Sequence, residues 1–344
     1  MTWSIENDFA DILERSRDDL EKLRGTRVLV TGGTGFVGTW LVSALHFADQ
    51  FLDLGIRVEL LTRDPATFAD RQPELASWVT VIRGDVTRIP EFGTVDAAIH
   101  AATPASAAFN DSQPDLMRTT IVDGMRSMLK SLEESGSIPV LFTSSGAVYG
   151  AQPAAMQRIT ESYWPADDAI EPRNAYALGK RDAEQLARNA EVTGGPSVRI
   201  ARLFAFVGPY LPLDAHFAIG NFIRDAMSGG PIRVSGDGTA IRSYMYASDM
   251  VVALLAVLVR GTEDHPYNVG ASDPTSIAQL ATTVRDVVAP NAEVQIAGRR
   301  ADDLPTGAGS RYLPDTSRLA DELKVRSTVP LEDAIRRTAR WSER

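Results

Sequence analysis

The chain has 344 residues, 44% of them hydrophobic and 23% charged, with a formal net charge of −10. That length suggests two domains, or one large domain with an appended lobe, and enough apolar residues to bury a full core. The absence of cysteine excludes disulfides, thiolate zinc sites and cysteine nucleophiles.

The four histidines (His46, His100, His216, His265) show no ligand spacing, so no metal site is expected. With an acidic balance and no Lys/Arg run, nucleic acid is not an expected partner. The basic pairs Arg299-Arg300 and Arg336-Arg337 read as solvated surface. Residues 1–24 are polar and mixed in charge and do not read as a signal peptide. The most apolar stretch, Val251–Val259, is half the length a bilayer requires, so it reads as a buried helix. A cytoplasmic protein without a membrane partner is the expectation.

In chain order, residues 5–23 place Ile5, Phe9, Ile12, Leu13, Leu20 and Leu23 near one face of a helix, and 1–24 forms an N-terminal helical segment. It is expected to pack outside the main domain. Thr26–Val30 is a β-branched strand, followed by a glycine cluster and a helix over 36–54. Strands follow at Ile56–Thr62, Trp78–Arg83 and Val95–His100, then a long helix over 114–135. Ile138–Thr143 is a fifth strand, 173–193 a helix and Ser197–Phe204 a sixth strand. This alternation predicts an α/β fold, a doubly wound parallel sheet with helices on both faces. Beyond 204 the alternation weakens and Gly and Pro grow denser. Residues 25–204 therefore form the dinucleotide-type domain, to which a helix at 247–260, within the segment 244–262, returns. Residues 205–243 and 263–344 form a smaller C-terminal lobe.

Three motifs carry chemistry. Thr31-Gly32-Gly33-Thr34-Gly35-Phe36-Val37-Gly38 follows a strand and opens a helix. Glycine there lets the backbone approach a pyrophosphate, which the helix N-terminus attracts. This is a Rossmann-like nucleotide loop, and its strand–turn–helix context makes the glycine spacing specific. Tyr176-Ala177-Leu178-Gly179-Lys180 places a phenol and an ammonium one helical turn apart, where the lysine is expected to draw the tyrosine pKa down. Thr143-Ser144-Ser145-Gly146-Ala147-Val148-Tyr149-Gly150 closes the fifth strand, where ligands of open α/β sheets sit. Ser145 is a candidate for holding a reacting oxygen. Ser144 is equally a substrate contact or an ordinary turn residue.

Together these motifs resemble the extended short-chain dehydrogenase/reductase family, in its nucleotide-sugar branch of epimerases, dehydratases, decarboxylases and ketoreductases. The resemblance runs from about residue 25 to the C-terminus. It implies a Rossmann-like domain with a smaller substrate-binding lobe. Tyr176 would be the acid–base, Lys180 would hold the nicotinamide ribose, and Ser145 would bind the reacting oxygen. The implied cofactor contacts are Gly32, Thr34, Gly35, Phe36, Val37 and Gly38 of the loop, then Asp85 and Val86, Ala101 and Ala102, Thr143, Tyr176, Lys180 and Phe204. The implied substrate contacts are Ser144, Ser145 and Tyr176, with Asn221 and Arg242 on the nucleotide-sugar diphosphate. A homodimer pairing the helices 114–135 and 172–192 is the family's common assembly.

The chain departs from the family pattern in three places. Dehydratases carry an Asp-Glu pair after the active-site Thr, where this chain reads Ser145-Gly146, which disfavours a 4,6-dehydratase. Ile121 stands where an Asn supports the active site, leaving that support to another residue, Thr120 being the candidate. Phe204-Ala205-Phe206 lacks an Asn that binds diphosphate.

At the end of the second strand, Thr62 stands where NAD enzymes place an acid, and Arg63 follows it. Arg63 can pair with a 2′-phosphate, whereas Asp64 can take the ribose hydroxyls instead. NADP(H) is favoured over NAD(H), and with it a 4-ketoreductase of an NDP-4-keto-(6-deoxy)hexose. An NDP-sugar 4-epimerase or decarboxylase with retained NAD is the alternative. A non-catalytic redox sensor is the alternative of another class.

Overall fold

Arg27–Thr31 (β1) is buried along almost its whole length, and its neighbours Val28, Leu29 and Val30 face alternately into two different cores. A strand covered on both faces is the mark of a parallel sheet sandwiched between helices. The computed structural model describes residues 3–103, 107–166, 170–171, 174–192, 194–215, 217–263, 265–297 and 310–343. Its main sheet adds Arg57–Thr62 (β2), Thr80–Arg83 (β3), Ala97–His100 (β4), Pro139–Ser145 (β5), Ser197–Leu203 (β6) and the strand Tyr267–Val269. The order is Tyr267–Val269, β6, β5, β4, β1, β2, β3, and every pairing is parallel.

The chain runs from β1 outward to β2 and β3, then returns to β4 on the opposite side of β1. The reversal opens a crevice at the carboxyl ends of β1 and β4, the place where such sheets bind ligands. On one face, the helices Phe36–Leu52 and Ala247–Arg260 bury Trp40, Leu41, Leu45, Val251, Leu254 and Leu255. The apolar stretch expected to be a buried helix is one, with Val251–Leu258 wholly interior. No helix among the described residues is long and apolar enough to cross a membrane. On the other face, the helices Pro114–Ser131 and Ala175–Val192 pack side by side over Leu29, Val140 and Phe142.

Element boundaries shift where local chemistry intervenes. The helix after the glycine loop is Phe36–Leu52, closed by Asp53 in the left-handed region (φ 49°). Pro65 and Pro73 start two short helices, Pro65–Arg71 and Pro73–Trp78, which delay β3 to Thr80. Proline is preorganised for a first helical turn, which explains both starts. The N-terminal helix breaks at Ser16 into Ile5–Arg15 and Arg17–Glu21.

This N-terminal segment is anchored by charge as well as by Phe9 against Trp40. Arg15 pairs with buried Asp249 at 2.7 Å, Asp19 with Arg260 at 2.8 Å, and Asp8 with Arg337 at 2.6 Å. Arg337 therefore corrects the reading of Arg336-Arg337 as solvated surface: its guanidinium is half-buried between Asp8 and the Tyr246 ring. Arg299-Arg300 lie outside the described residues.

A second core builds the smaller lobe from Ile219, Phe222, Ile223, Leu280, Val284 and Ile335. Its helices are Ala218–Met227, Ile277–Val288 and Leu331–Ser342. Ile241–Arg242 is the central strand of a small sheet, antiparallel to Thr275–Ser276 and parallel to Arg311–Tyr312. This small sheet delivers Arg242 and Tyr312 to the side of the main crevice.

Candidate active site

The glycine loop fits a dinucleotide backbone for a steric reason. Gly32 has φ +74°, and a Cβ there would lie 2.4 Å from the Ala101 carbonyl carbon and 2.5 Å from Ala102 N. A Cβ on Gly38 would lie 2.1 Å from Gly32 O. Only glycine lets β1, β4 and the helix Phe36–Leu52 converge this closely. The helix N-terminus opens at Gly35 with no side-chain cap, and Gly35 and Phe36 line the crevice.

The crevice is a cleft of about 590 Å³. Gly32, Thr34, Gly35 and Phe36 form its floor, Ala101, Ala102 and Thr103 one wall, and Asp85 and Val86 another. Val37 of the same loop instead packs against the main core. Asp85 is held by Thr87, whose N–H and hydroxyl donate to it at 2.9 and 2.7 Å and lower its pKa.

At the far end stand Thr62, Arg63, Asp64, Thr67 and Arg71. The Asp64 carboxylate caps the helix Pro65–Arg71, accepting Thr67 Oγ1–H at 2.6 Å and Thr67 N–H at 3.0 Å. These bonds depress its pKa and hold its carboxylate against the start of the helix.

The other side of the candidate site is built on β5 and the helix Ala175–Val192. Lys180 is buried (1% exposed), and its Nζ donates to Thr103 Oγ1 and Thr143 O, both at 2.7 Å. Burial pushes its pKa down to about 7, against the pull of Glu184 one turn further on. Support for Lys180 thus comes from Thr103 and Thr143, while Thr120 lines the cofactor cleft.

Tyr176 is half-buried, and Lys180 Nζ lies 5.9 Å from its ring centre. Burial raises the tyrosine pKa, and the Ser145 hydrogen bond is what opposes it. Burial thus holds Tyr176 above the ordinary tyrosine value, contrary to the expectation that Lys180 draws it down.

Ser145 and Ser144 point to opposite sides, as neighbours on a strand must. The Ser145 hydroxyl accepts Ala147 N–H at 3.1 Å and faces the tyrosines. The Ser144 hydroxyl, a candidate substrate contact, instead donates to buried Glu184 at 2.6 Å. Glu184 is the acceptor of a bidentate Arg202 at 3.0 and 2.7 Å, and Arg202 also donates to Tyr149 Oη. This fully buried network fixes β5, β6 and the catalytic helix relative to one another.

Phe204, expected at the cofactor, sits beside Tyr312 with ring centres 4.6 Å apart. Arg242 donates to Ser310 O and Ile241 O at 2.8 Å, and its guanidinium is 5.8 Å from the Tyr312 ring. Asn221, on the helix Ala218–Met227, accepts from Arg224 at 3.1 Å.

Sequence reasoning missed Tyr312. Its hydroxyl lies beside Gly146, 2.5 Å from where a Cβ on that residue would sit, and it is electrostatically coupled to Tyr176, although 136 positions separate the two tyrosines in the chain. It also missed Thr103 and Arg71, which belong to no motif. No carboxylate side chain follows Ser145, since the next residues are Gly146 and Ala147.

A doubly wound sheet with a glycine-lined cleft, closed by a serine, a tyrosine and a buried lysine, defines a nicotinamide-type oxidoreductase centre. Comparison with known proteins agrees. Residues 28–270 match the NAD dependent epimerase/dehydratase family, and the chain belongs to it. UDP-glucuronic acid decarboxylase 6 of Arabidopsis thaliana is 33% identical over 90% of this chain and 86% of its own length. A dTDP-glucose 4,6-dehydratase of Streptomyces venezuelae, solved with NAD bound, superposes with a TM-score of 0.75 at 26% identity, covering 92% of this chain and 97% of its own. A UDP-glucose 4-epimerase of Thermotoga maritima shares the fold with a TM-score of 0.75 at 20% identity, covering 92% and 98%. The chain is thus an enzyme of the extended short-chain dehydrogenase/reductase type, acting among nucleotide-sugar epimerases, dehydratases and decarboxylases.

Proposed function

We propose that the protein exchanges hydride at C4 of a nucleotide-linked hexose and works as an NADPH-dependent 4-ketoreductase of an NDP-4-keto-(6-deoxy)hexose. The observation that carries this reading is the far end of the cleft. Arg63 and Arg71 are exposed there and, among the described residues, enter no hydrogen bond or ion pair, while Asp64 is committed to its helix cap. Two exposed guanidinium groups at this end, one of them attracted electrostatically to Asp85 in the same cleft, suit a 2′-phosphate. A nicotinamide cofactor, when bound, supplies or accepts the hydride. Ser145 then orients the C4 oxygen, Tyr176 gives it a proton during reduction, and Lys180 holds the ribose. Arg242 and Asn221 are assigned to the diphosphate of the nucleotide sugar. Gly146 and Ala147 offer no acid–base for water elimination, which supports C4 redox chemistry over dehydration.

A second reading, decarboxylation or 4-epimerisation with retained NAD, is favoured by the decarboxylase relatives and by the NAD-bound structural neighbour. Fluorescence titration with NADPH and NADH separates the two. NADPH is expected to bind about ten-fold tighter, a difference of ~1.4 kcal/mol, and Arg63→Ala/Arg71→Ala is expected to erase the preference. A wild type that prefers NADH, or that purifies with NAD it does not release, refutes the reductase reading in favour of the second.

A further inference from the structure

Thr103 belongs to none of the three motifs, yet it joins two parts of the site. It follows Ala101 and Ala102 on the wall of the cofactor cleft, and its hydroxyl accepts Lys180 Nζ–H at 2.7 Å. Lys180 itself is 1% exposed and meets that wall at Thr103. As an ammonium it carries three donors and no acceptor. Thr143 O takes one donor at 2.7 Å, and Thr103 takes another.

The direction of this bond decides what the Thr103 hydroxyl can do next. An ammonium cannot accept, so the threonine proton has to go elsewhere. Among the described residues the Thr103 hydroxyl enters a single hydrogen bond, the one from Lys180. A hydroxyl that accepts from a cation is a stronger donor, because bonds in a chain polarise one another. Thr103 thus brings one polarised, uncommitted proton to the cleft wall. Its role goes beyond support of the lysine, since Thr143 O already supplies an acceptor from a strand fixed by its pairing with β6.

The neighbours place that proton along a dinucleotide. Ala101 C and Ala102 N lie 2.4 and 2.5 Å from where a Cβ on Gly32 would sit, so the two residues before Thr103 stand against the glycine turn that suits a pyrophosphate. On the other side, Lys180 Nζ is 5.9 Å from the centre of the Tyr176 ring. Between its pyrophosphate and its reactive ring, a nicotinamide dinucleotide carries a ribose.

We propose that Thr103 is a cofactor-binding residue that donates its hydroxyl proton to a hydroxyl oxygen of the nicotinamide ribose and so carries the charge of Lys180 to the cofactor. This role rests on the reading of Lys180 as the residue that holds that ribose.

The test measures the affinity of the full-length protein for NADPH and NADH by nicotinamide fluorescence and for ADP by calorimetry. ADP carries the adenosine and the pyrophosphate and ends before the nicotinamide ribose. The proteins compared are wild type, Thr103→Val, Thr103→Ala, Thr103→Ser, Lys180→Met and Lys180→Met/Thr103→Val. Thr103→Val keeps the shape of the side chain and is expected to weaken the nicotinamide dinucleotides about ten-fold, the scale of a lost charge-assisted bond, with ADP affinity within about two-fold. Thr103→Ala is expected to match it, and Thr103→Ser, which restores the hydroxyl, to stay within about three-fold of wild type. In the Lys180→Met background, where the polarising cation is gone, Thr103→Val is expected to cost less than about three-fold. Unchanged dinucleotide affinity in Thr103→Val and Thr103→Ala, an equal loss of ADP affinity, failure of Thr103→Ser to restore binding, or an undiminished loss in the Lys180→Met background would overturn the inference while leaving the function standing. Undiminished NADPH and NADH affinity in Lys180→Met, or a wild type that binds neither dinucleotide, would instead overturn the cofactor assignment and the Thr103 role with it.

Discussion

Lys180→Met is expected to make the protein more stable near neutral pH while removing its activity. Lys180 is 1% exposed, and its pKa falls from the usual 10.5 to about 7. Between those two values the unfolded chain binds a proton that the folded chain does not. Stability therefore falls as pH drops from 10.5 to 7 and stays at the lower level below 7. At about 1.4 kcal/mol per pH unit, holding a charged Lys180 in the folded protein at pH 6 costs about 5 kcal/mol. Methionine matches the stem in length and removes that charge. Against this, the buried Thr143 carbonyl loses its donor, a loss of about 1–3 kcal/mol. The Thr103 hydroxyl can rotate to another partner. The balance is a gain of about 2–4 kcal/mol at pH 6, or on the order of 5 °C in Tm for a chain of this size. Above pH 10.5 the lysine is neutral in both states, so only the lost hydrogen bond remains and the variant becomes the less stable of the two. Thermal unfolding of both proteins across pH 6 to 10.5 checks the size and the reversal. A variant that is less stable than wild type at pH 6, with no pH-dependent crossing, would refute the reasoning.

Three further outcomes follow from the geometry. Gly38→Ala drives a methyl group to 2.1 Å from Gly32 O and is expected to weaken dinucleotide binding at least ten-fold, measured by cofactor fluorescence. Arg202→Met leaves Glu184 buried without its bidentate partner and is expected to cost about 3–5 kcal/mol in chemical denaturation. Arg242→Ala is expected to weaken UDP binding by about ten-fold or more in calorimetry, the scale of a lost charge-assisted contact, with nicotinamide affinity unchanged.

Six strands of the main sheet were legible as short apolar runs, a pattern that survives in any context, whereas the seventh, Tyr267–Val269, fell in a segment read as part of the smaller lobe. Gly32, Gly38, Ser145, Tyr176 and Lys180 were legible because their chemistry depends on neighbours within a few residues. Ser144 was ambiguous because adjacent strand residues face opposite ways, and which of the two serines faces the ligand depends on where Glu184 and Arg202 lie. Tyr312 was illegible for a related reason. Its role arises when the small lobe folds Arg311–Tyr312 beside Ile241–Arg242, a long-range pairing that leaves no local pattern. Thr103 reaches Lys180 across 77 residues, and Arg71 enters the cleft only because Pro65 starts a helix that turns back over it. The Arg337–Asp8 pair spans 329 residues, which is why a basic pair near the C-terminus looked like plain surface.

The most direct test of C4 hydride exchange through Tyr176 is label transfer. The wild-type protein is incubated with nicotinamide-deuterated NADPH and dTDP-4-keto-6-deoxyglucose, and the sugar nucleotide is analysed by mass spectrometry and NMR. One deuterium at C4 of the product is expected, with the rate lowered at least ~100-fold in Tyr176→Phe. Product without deuterium at C4, or equal label transfer by Tyr176→Phe, would contradict the account.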